Sequence, residues 1–291
     1  MMTRRCVLLA CCVAGLGPPA AVQAQLPDSL VAQIRTGAAQ SELRADTADL
    51  PLLGTPTLPL VEVMINGHGP YRFLVDLGSN VVVVRNAVAA SAEGAVLVDR
   101  PRGDIIRFDS ISLGALVLRS VVAAGYDSLD VDGVLGYNVL QYHSFDLDYP
   151  RQRLTIHDSE LPAPEFREIL PYSVDGRMPM LLVRIGSDSL RVNLDTGATE
   201  WLTIPPALQD GIRWAGQVRP GRMTWNNQTG AQQVHEGTLL DPLEIGPLVL
   251  SDVLVYINPD ADGPWLGSSA MQHARWSFDP RNQRVRITPK Q

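Results

Sequence analysis

The sequence predicts an all-β chain made of two related lobes, and three observations carry that expectation. From Leu58 onward, short runs rich in Val, Leu and Ile alternate with Gly, Pro, Asn and Asp, and no long helical pattern interrupts them. The chain repeats its own motifs in the same order. Two acids, each closing an apolar run just before a glycine, stand at matching points of the repeat.

The first 24 residues read as a targeting leader. Arg4 and Arg5 precede an apolar run from Cys6 to Gly17, and Val22-Gln23-Ala24 fits a small-residue cleavage site. The run is too short to span a bilayer as a helix. Cleavage after Ala24 and export to a periplasmic or extracellular site are expected, with a lipid anchor through Cys11 as the alternative. All three cysteines lie in this leader, so the remaining chain has no disulfide and no thiol nucleophile. Without its two arginines the formal charge goes from −7 to −9. An acidic chain argues against nucleic acid as a partner. No later run is long enough to cross a membrane, and a monomer is expected.

Residues 25–57 read as an N-terminal helix and linker. Ser29 to Leu43 places Leu30, Ile34 and Ala38 four apart, and Pro51, Gly54, Pro56 and Pro59 then punctuate the chain. A small propeptide is the alternative. The first lobe is expected over 58–158, with the runs LVEVMING, YRFLVDLG, NVVVVR, IIRFDSISLG, SVVAAGY, SFDLDY and QRLTIH as strands. Pro162-Ala163-Pro164 and Pro171 mark a connector, and the second lobe covers 172–291.

The repeat is read from spacing. Leu58-Pro59-Leu60 matches Met178-Pro179-Met180, and the two acids follow these starting points at intervals that differ by a single position. Val134-Leu135-Gly136 matches Trp265-Leu266-Gly267. Asp148 and Asp279 follow those glycines at equal distances along the chain, and Ile156 and Ile287 do so again further on. Between them, FDLDYPRQRLTI and WSFDPRNQRVRI both read as strand, turn, strand.

The acids themselves are Asp76, in FLVDLGSN, and Asp195, in VNLDTGAT. A lone Asp before Gly is usually a turn residue. Here each acid ends an apolar strand, where a single carboxylate is costly to bury, and two-fold pseudo-symmetry brings matching turns together. Two carboxyls in contact do not both ionise easily, so one keeps its proton and the pair supplies an acid and a base.

Asp-Thr-Gly-Ala at 195–198, Asp-Leu-Gly-Ser at 76–79 and the two hydrophobic-hydrophobic-Gly motifs resemble the aspartic proteases over most of residues 58–289. The shared-proton dyad is that family's known device rather than a deduction from this chain. The resemblance implies a two-lobed acid-protease fold, pepsin-like in arrangement with compact, retropepsin-like lobes. It implies Asp76 and Asp195 as the catalytic pair, water as nucleophile and an extended peptide as substrate, with no cofactor and no metal. It assigns loop support to Leu77, Gly78, Ser79, Thr196, Gly197 and Ala198, and packing beneath the loops to Val134, Leu135, Gly136, Trp265, Leu266 and Gly267.

One position departs from the family. The residue after each catalytic Asp is normally Thr or Ser, whose hydroxyl braces the two loops. Thr196 fits and Leu77 does not. An inactive or weakened peptide-binding relative is therefore the alternative to an endopeptidase. Ser79 is expected to bond the neighbouring carboxylate, which Ala198 is unable to do. Asn80 and Thr199 are expected to cap strand ends. Two hairpins are candidates to cover the cleft: Arg100-Pro101-Arg102-Gly103-Asp104, and Thr224 to Gly230 with its aromatic Trp225. Plain exposed hairpins are the alternative for both. The five histidines show no metal-ligand spacing, and His235-Glu236 reads as a polar strand face. Asn227-Gln228-Thr229 forms a glycosylation sequon, and Trp265 and Trp276 read as core.

Overall fold

The computed structural model describes residues 27–98, 103–175, 178–226 and 230–290. The leader and the Asn227 sequon lie outside the described residues. The chain opens with helix α1 (Asp28–Thr36), which stops at Gly37, a residue at φ 76. The helix expected as far as Leu43 therefore ends at Thr36, because a glycine in the left-handed region closes it. What was read as linker is strand. β1 (Gln40–Leu43) pairs with β8 of the first lobe, and β2 (Thr47–Pro51) pairs with β11. Ala48 and Leu50 are buried between exposed neighbours, so β2 carries a period-2 signal that its terminal Pro51 masked.

The first lobe is built from β3 (Leu60–Ile65), β4 (His68–Asp76), β5 (Val82–Arg85), helix α2 (Asn86–Ser91), β6 (Ala95–Val98), β7 (Ile105–Leu113), β8 (Leu116–Tyr126), β9 (Gly133–Gly136) and helix α3 (Tyr137–Leu140). Asn66 and Gly67 both take positive φ and make the two-residue turn between β3 and β4, the geometry that matches strand twist. Strands β8-β5-β9-β4-β3-β7 follow one another, and β7 pairs back onto β8. The sheet is a closed barrel filled by Val61, Val63, Ile65, Phe73, Val75 and Phe108 among others.

Next come β10 (Ser144–Asp148), β11 (Arg153–His157) and β12 (Ile169–Pro171). The second lobe follows: β13 (Ser173–Asp175), β14 (Met178–Ile185), β15 (Asp188–Asp195), β16 (Leu202–Ile204), β17 (Arg219–Asn226), β18 (Gly230–Thr238), β19 (Leu243–Ile245), β20 (Leu248–Leu250), β21 (Leu254–Ile257), β22 (Trp265–Gly267) and helix α4 (Ser268–Met271). Its sheet runs β17-β18-β21-β16-β22-β15-β14-β19-β20 and stays open. In the first lobe β7 runs unbroken and closes the ring. In the second lobe the corresponding stretch is divided between β18 and β19 by Leu239-Leu240-Asp241-Pro242, and Pro242 has no N–H for a ladder.

The chain ends with β23 (Ala274–Asp279) and β24 (Arg284–Pro289). These join β2, β10, β11 and β12 in a third sheet, ordered β12-β24-β23-β10-β11-β2, that links the lobes. At its centre Phe145 pairs with Phe278, Asp146 with Ser277 and Leu147 with Trp276. The offset that carries Gly136 onto Gly267 exchanges the first and third of these pairs, so the pseudo-two-fold axis passes through Asp146 and Ser277. Phe145 and Phe278 stack at 4.8 Å, and Trp276 is fully buried with its Nε1 donating to the Met271 carbonyl. Burial pushes the Asp146 carboxyl up. Hydrogen bonds from His157 and Ser277 and the Arg275 guanidinium outweigh that and hold its pKa below the usual value. The molecule is thus an all-β, two-lobed acid-protease fold.

Candidate active site

Asp76 is the last residue of β4 and Asp195 the last of β15. Each strand runs parallel to a short partner, with Asp76 opposite Gly136 in β9 and Asp195 opposite Gly267 in β22. The partners hold glycine because the acid loops lie on them. A Cβ at Gly136 would meet the Val81 carbonyl at 2.5 Å, and one at Gly267 would fall closer still to the Glu200 carbonyl. Val134, Leu135 and Leu266 are buried in these partner strands. Trp265, read as core, is only half-buried, because it lies on the sheet face opposite Leu266.

The two loops interlock. A Cβ at Gly78 would strike Asp195 Cγ at 2.5 Å, and one at Gly197 would strike Asp76 Cγ at 2.8 Å. Each glycine of the motif therefore makes room for the carboxylate of the other lobe. The Gly197 N–H lies 3.0 Å from Asp195 Oδ1 and 3.2 Å from Asp76 Oδ1, so one donor is shared by both acids. Gly78 N–H also donates to Asp76 Oδ1 at 2.8 Å, and Ala198 N–H to Asp195 Oδ1 at 2.9 Å. Asp76 is fully buried and Asp195 almost so. Burial pushes the Asp195 carboxyl well above its usual range, and the charge of Asp76 adds to this. The Ala198 N–H pulls the other way, and the charge of Glu200 raises it further. The arrangement holds one proton between two acids and leaves the other ionised.

Half of the cross-brace is present. Thr196 Oγ1 accepts from the Leu77 N–H at 2.9 Å and donates to the Val75 carbonyl at 2.7 Å, joining the lobes. Leu77 is fully buried in the main apolar core and returns no hydrogen bond from its side chain. Ser79 was expected to bond the neighbouring carboxylate. Its Oγ donates to the Val81 carbonyl at 2.9 Å and closes its own loop, a job a short hydroxyl does readily.

The candidate cover hairpins are β6–β7 and β17–β18, one at a sheet edge of each lobe. The tips, 99–102 and 227–229, lie outside the described residues, and β17–β18 is the longer hairpin.

Three features escaped the sequence reading. Ser268 Oγ donates to the Ala198 and Thr57 carbonyls, at 2.7 and 2.6 Å, tying the second-lobe loop to the segment before β3. Glu200 is buried and paired with Arg222 of β17, whose guanidinium stacks over Tyr256. Its signal was an acid inside the otherwise apolar stretch Ala-Thr-Glu-Trp-Leu. Tyr149 is buried close enough to Asp76 and Asp195 for their charges to raise its hydroxyl's pKa, after burial itself.

Residues 61–139 match the family model for aspartyl proteases. The matched segment runs from β3 through β9 into α3 and contains the Asp76 loop with its partner strand. The match covers about a quarter of the chain and is a likeness of the first lobe to aspartyl proteases. No curated protein matches the chain.

Proposed function

We propose that the protein is an exported aspartic endopeptidase in which Asp76 and Asp195 act together on a bound water. The observation that carries this reading is the mutual approach of the loops, in which each motif glycine yields space to the opposite carboxylate and the Gly197 N–H serves both. Asp195, with its raised pKa, holds the proton. Ionised Asp76 takes a proton from the water as its oxygen attacks the peptide carbonyl carbon, and Asp195 protonates the carbonyl oxygen. The resulting gem-diol collapses as Asp76 passes the proton it took from water to the amide nitrogen, Asp195 takes back a proton from a gem-diol hydroxyl, and the C–N bond breaks to leave a carboxylic acid and an amine. No covalent intermediate forms. The substrate lies extended between the lobes, its backbone bonding to hairpin strands.

Leu77 favours a second reading, a peptide-binding relative without turnover, because a pair braced from one side loses rate steeply if it shifts. The test is cleavage of a mixed peptide library by the chain lacking its leader, from about pH 3 to about pH 7, a range that spans carboxyl titration. Asp76→Asn, Asp195→Asn and a transition-state-mimicking inhibitor serve as controls. Cleavage abolished by each control establishes the dyad. A folded protein that cuts nothing at any pH establishes the second reading.

A further inference from the structure

Alternate residues of a strand share a face. Leu74 thus lies on the face that carries the Asp76 carboxylate, and Asn193 on the face that carries Asp195. Strand pairing extends both floors sideways. In the first lobe Val134 lies opposite Leu74, and Val83 opposite Val134. In the second, Trp265 lies opposite Asn193, and Thr203 opposite Trp265. The same three positions beside the dyad are therefore Leu, Val and Val in one lobe and Asn, Trp and Thr in the other.

The chemistry of the floors differs accordingly. Leu74, Val83 and Val134 form an apolar cluster separate from the main core, flanked by partly buried Leu58, Val81 and Leu129. In the second lobe, Trp265 Nε1 and Thr203 Oγ1 are buried with no hydrogen-bond partner among the described residues, and Arg222 Nε likewise. Thr203 is 1 % exposed. Glu200 stands on the loop that follows Asp195, where the first lobe has Val81, and the Arg222 guanidinium neutralises it. Buried polar atoms are rarely left unpaired in a folded protein, and a recurrent reason is that a ligand pairs them.

We propose that the cleft reads its substrate differently on its two sides: the floor beside Asp76 takes an apolar side chain, and the floor beside Asp195 takes a carboxamide side chain, Asn or Gln. The proposal rests on the reading of the cleft as a peptide site. Trp265 Nε1 only donates, so its partner must accept. Thr203 Oγ1 both donates and accepts, and a carboxamide offers both functions on one group. Glu200 and Arg222 already neutralise each other, so neither a carboxylate nor an ammonium would find an opposite charge to repay its burial. An aliphatic side chain would bury the two polar atoms unpaired, which is the strongest basis for rejecting an analogue.

The test is the affinity of the chain lacking its leader for peptides in which a reduced, uncleavable bond replaces the scissile amide. One side of that bond carries Leu; the other carries Gln, Asn, Leu, Glu or Lys, in both orders. The carboxamide peptides are expected to bind at least about tenfold tighter than the other three. The advantage should fall to near parity in Trp265→Phe, which keeps an aromatic ring without the N–H, and in Thr203→Val, which keeps the shape without the hydroxyl. A Leu peptide that binds as well, an advantage that survives both substitutions, or no binding of any peptide overturns the proposal. Since these ligands are not cut, the result is separate from turnover. Preference in a protein that never cleaves library peptides would sink the protease reading alone, and efficient cleavage without preference would sink this inference alone.

Discussion

Replacing Thr196 by Val should cost more than any other single-atom change at the lobe interface. Valine keeps the shape of threonine, so no cavity opens, and the change isolates the hydroxyl. Thr196 is fully buried, and its Oγ1 serves two backbone groups of the other lobe, the Leu77 N–H at 2.9 Å and the Val75 carbonyl at 2.7 Å. Both of those residues are themselves fully buried, so water does not replace the lost partner. An unsatisfied buried backbone group costs roughly 1–3 kcal/mol, which puts the pair at about 2–6 kcal/mol before relaxation. Relaxation is limited because the side chain of Leu77 offers no reciprocal bond, and about 3 kcal/mol is expected to remain. That is a large share of the roughly 5–15 kcal/mol typical of a folded domain. Urea unfolding followed by tryptophan fluorescence measures it, with Thr196→Ser as the control that keeps the hydroxyl and loses about 1 kcal/mol or less. A Val variant within about 0.5 kcal/mol of the parent would refute the idea that this brace holds the lobes together.

Other expectations follow from the same geometry. Gly78→Ala and Gly197→Ala should each lower peptide cleavage at least about a hundredfold while circular dichroism stays unchanged, because the new methyl displaces the opposite carboxylate; near-normal turnover in either would show that the acids are not held as described. Asp195 binds its proton more tightly folded than unfolded, so its contribution to stability is full below about pH 4 and is lost as pH rises through the raised value. Urea midpoints should therefore show Asp195→Asn gaining on the parent between about pH 4 and about pH 8, and a constant difference would contradict a raised pKa. Tyr149 buries a hydroxyl that has no partner among the described residues, so Tyr149→Phe should leave stability within about 1 kcal/mol of the parent or raise it. A loss of more than about 2 kcal/mol would reveal a bonded hydroxyl.

Much of the fold was legible because it is written in patterns the backbone must obey. β3 buries Val61, Val63 and Ile65 at period 2, the Asn66-Gly67 turn has the one geometry its residues favour, and the FDLDYPRQRLTI and WSFDPRNQRVRI stretches became the paired hairpins of the inter-lobe sheet. β1 and β2 were missed because they are edge strands whose partners lie far along the chain, and prolines nearby suggested a linker. The dyad loops were found from their acid-glycine spacing. Glu200 and Arg222 were not, since nothing in the sequence brings position 200 to a hairpin strand further along the chain; only the β17 to β18 fold-back does. Ser79 shows the limit of motif transfer: its hydroxyl donates to the Val81 carbonyl of its own loop.

The duplication is kept where backbone geometry sets the approach of the two acids and abandoned where side chains do. Both loops retain the glycine that admits the opposite acid and the partner-strand glycine on which the loop rests, since neither tolerates a Cβ. The brace survives in one lobe only, so placement of the acids depends on what lies beneath them. There the inter-lobe sheet is nearly symmetric: Phe145 and Phe278 stack across its centre, and Arg275 of one lobe pairs with Asp146 of the other. A rotation of one lobe against the other would have to break that stack and that ion pair before it moved Asp76 from Asp195. The sheet thus supplies the constraint that the Leu77 side chain does not, and this is the physical reason a one-sided brace remains compatible with a catalytic pair.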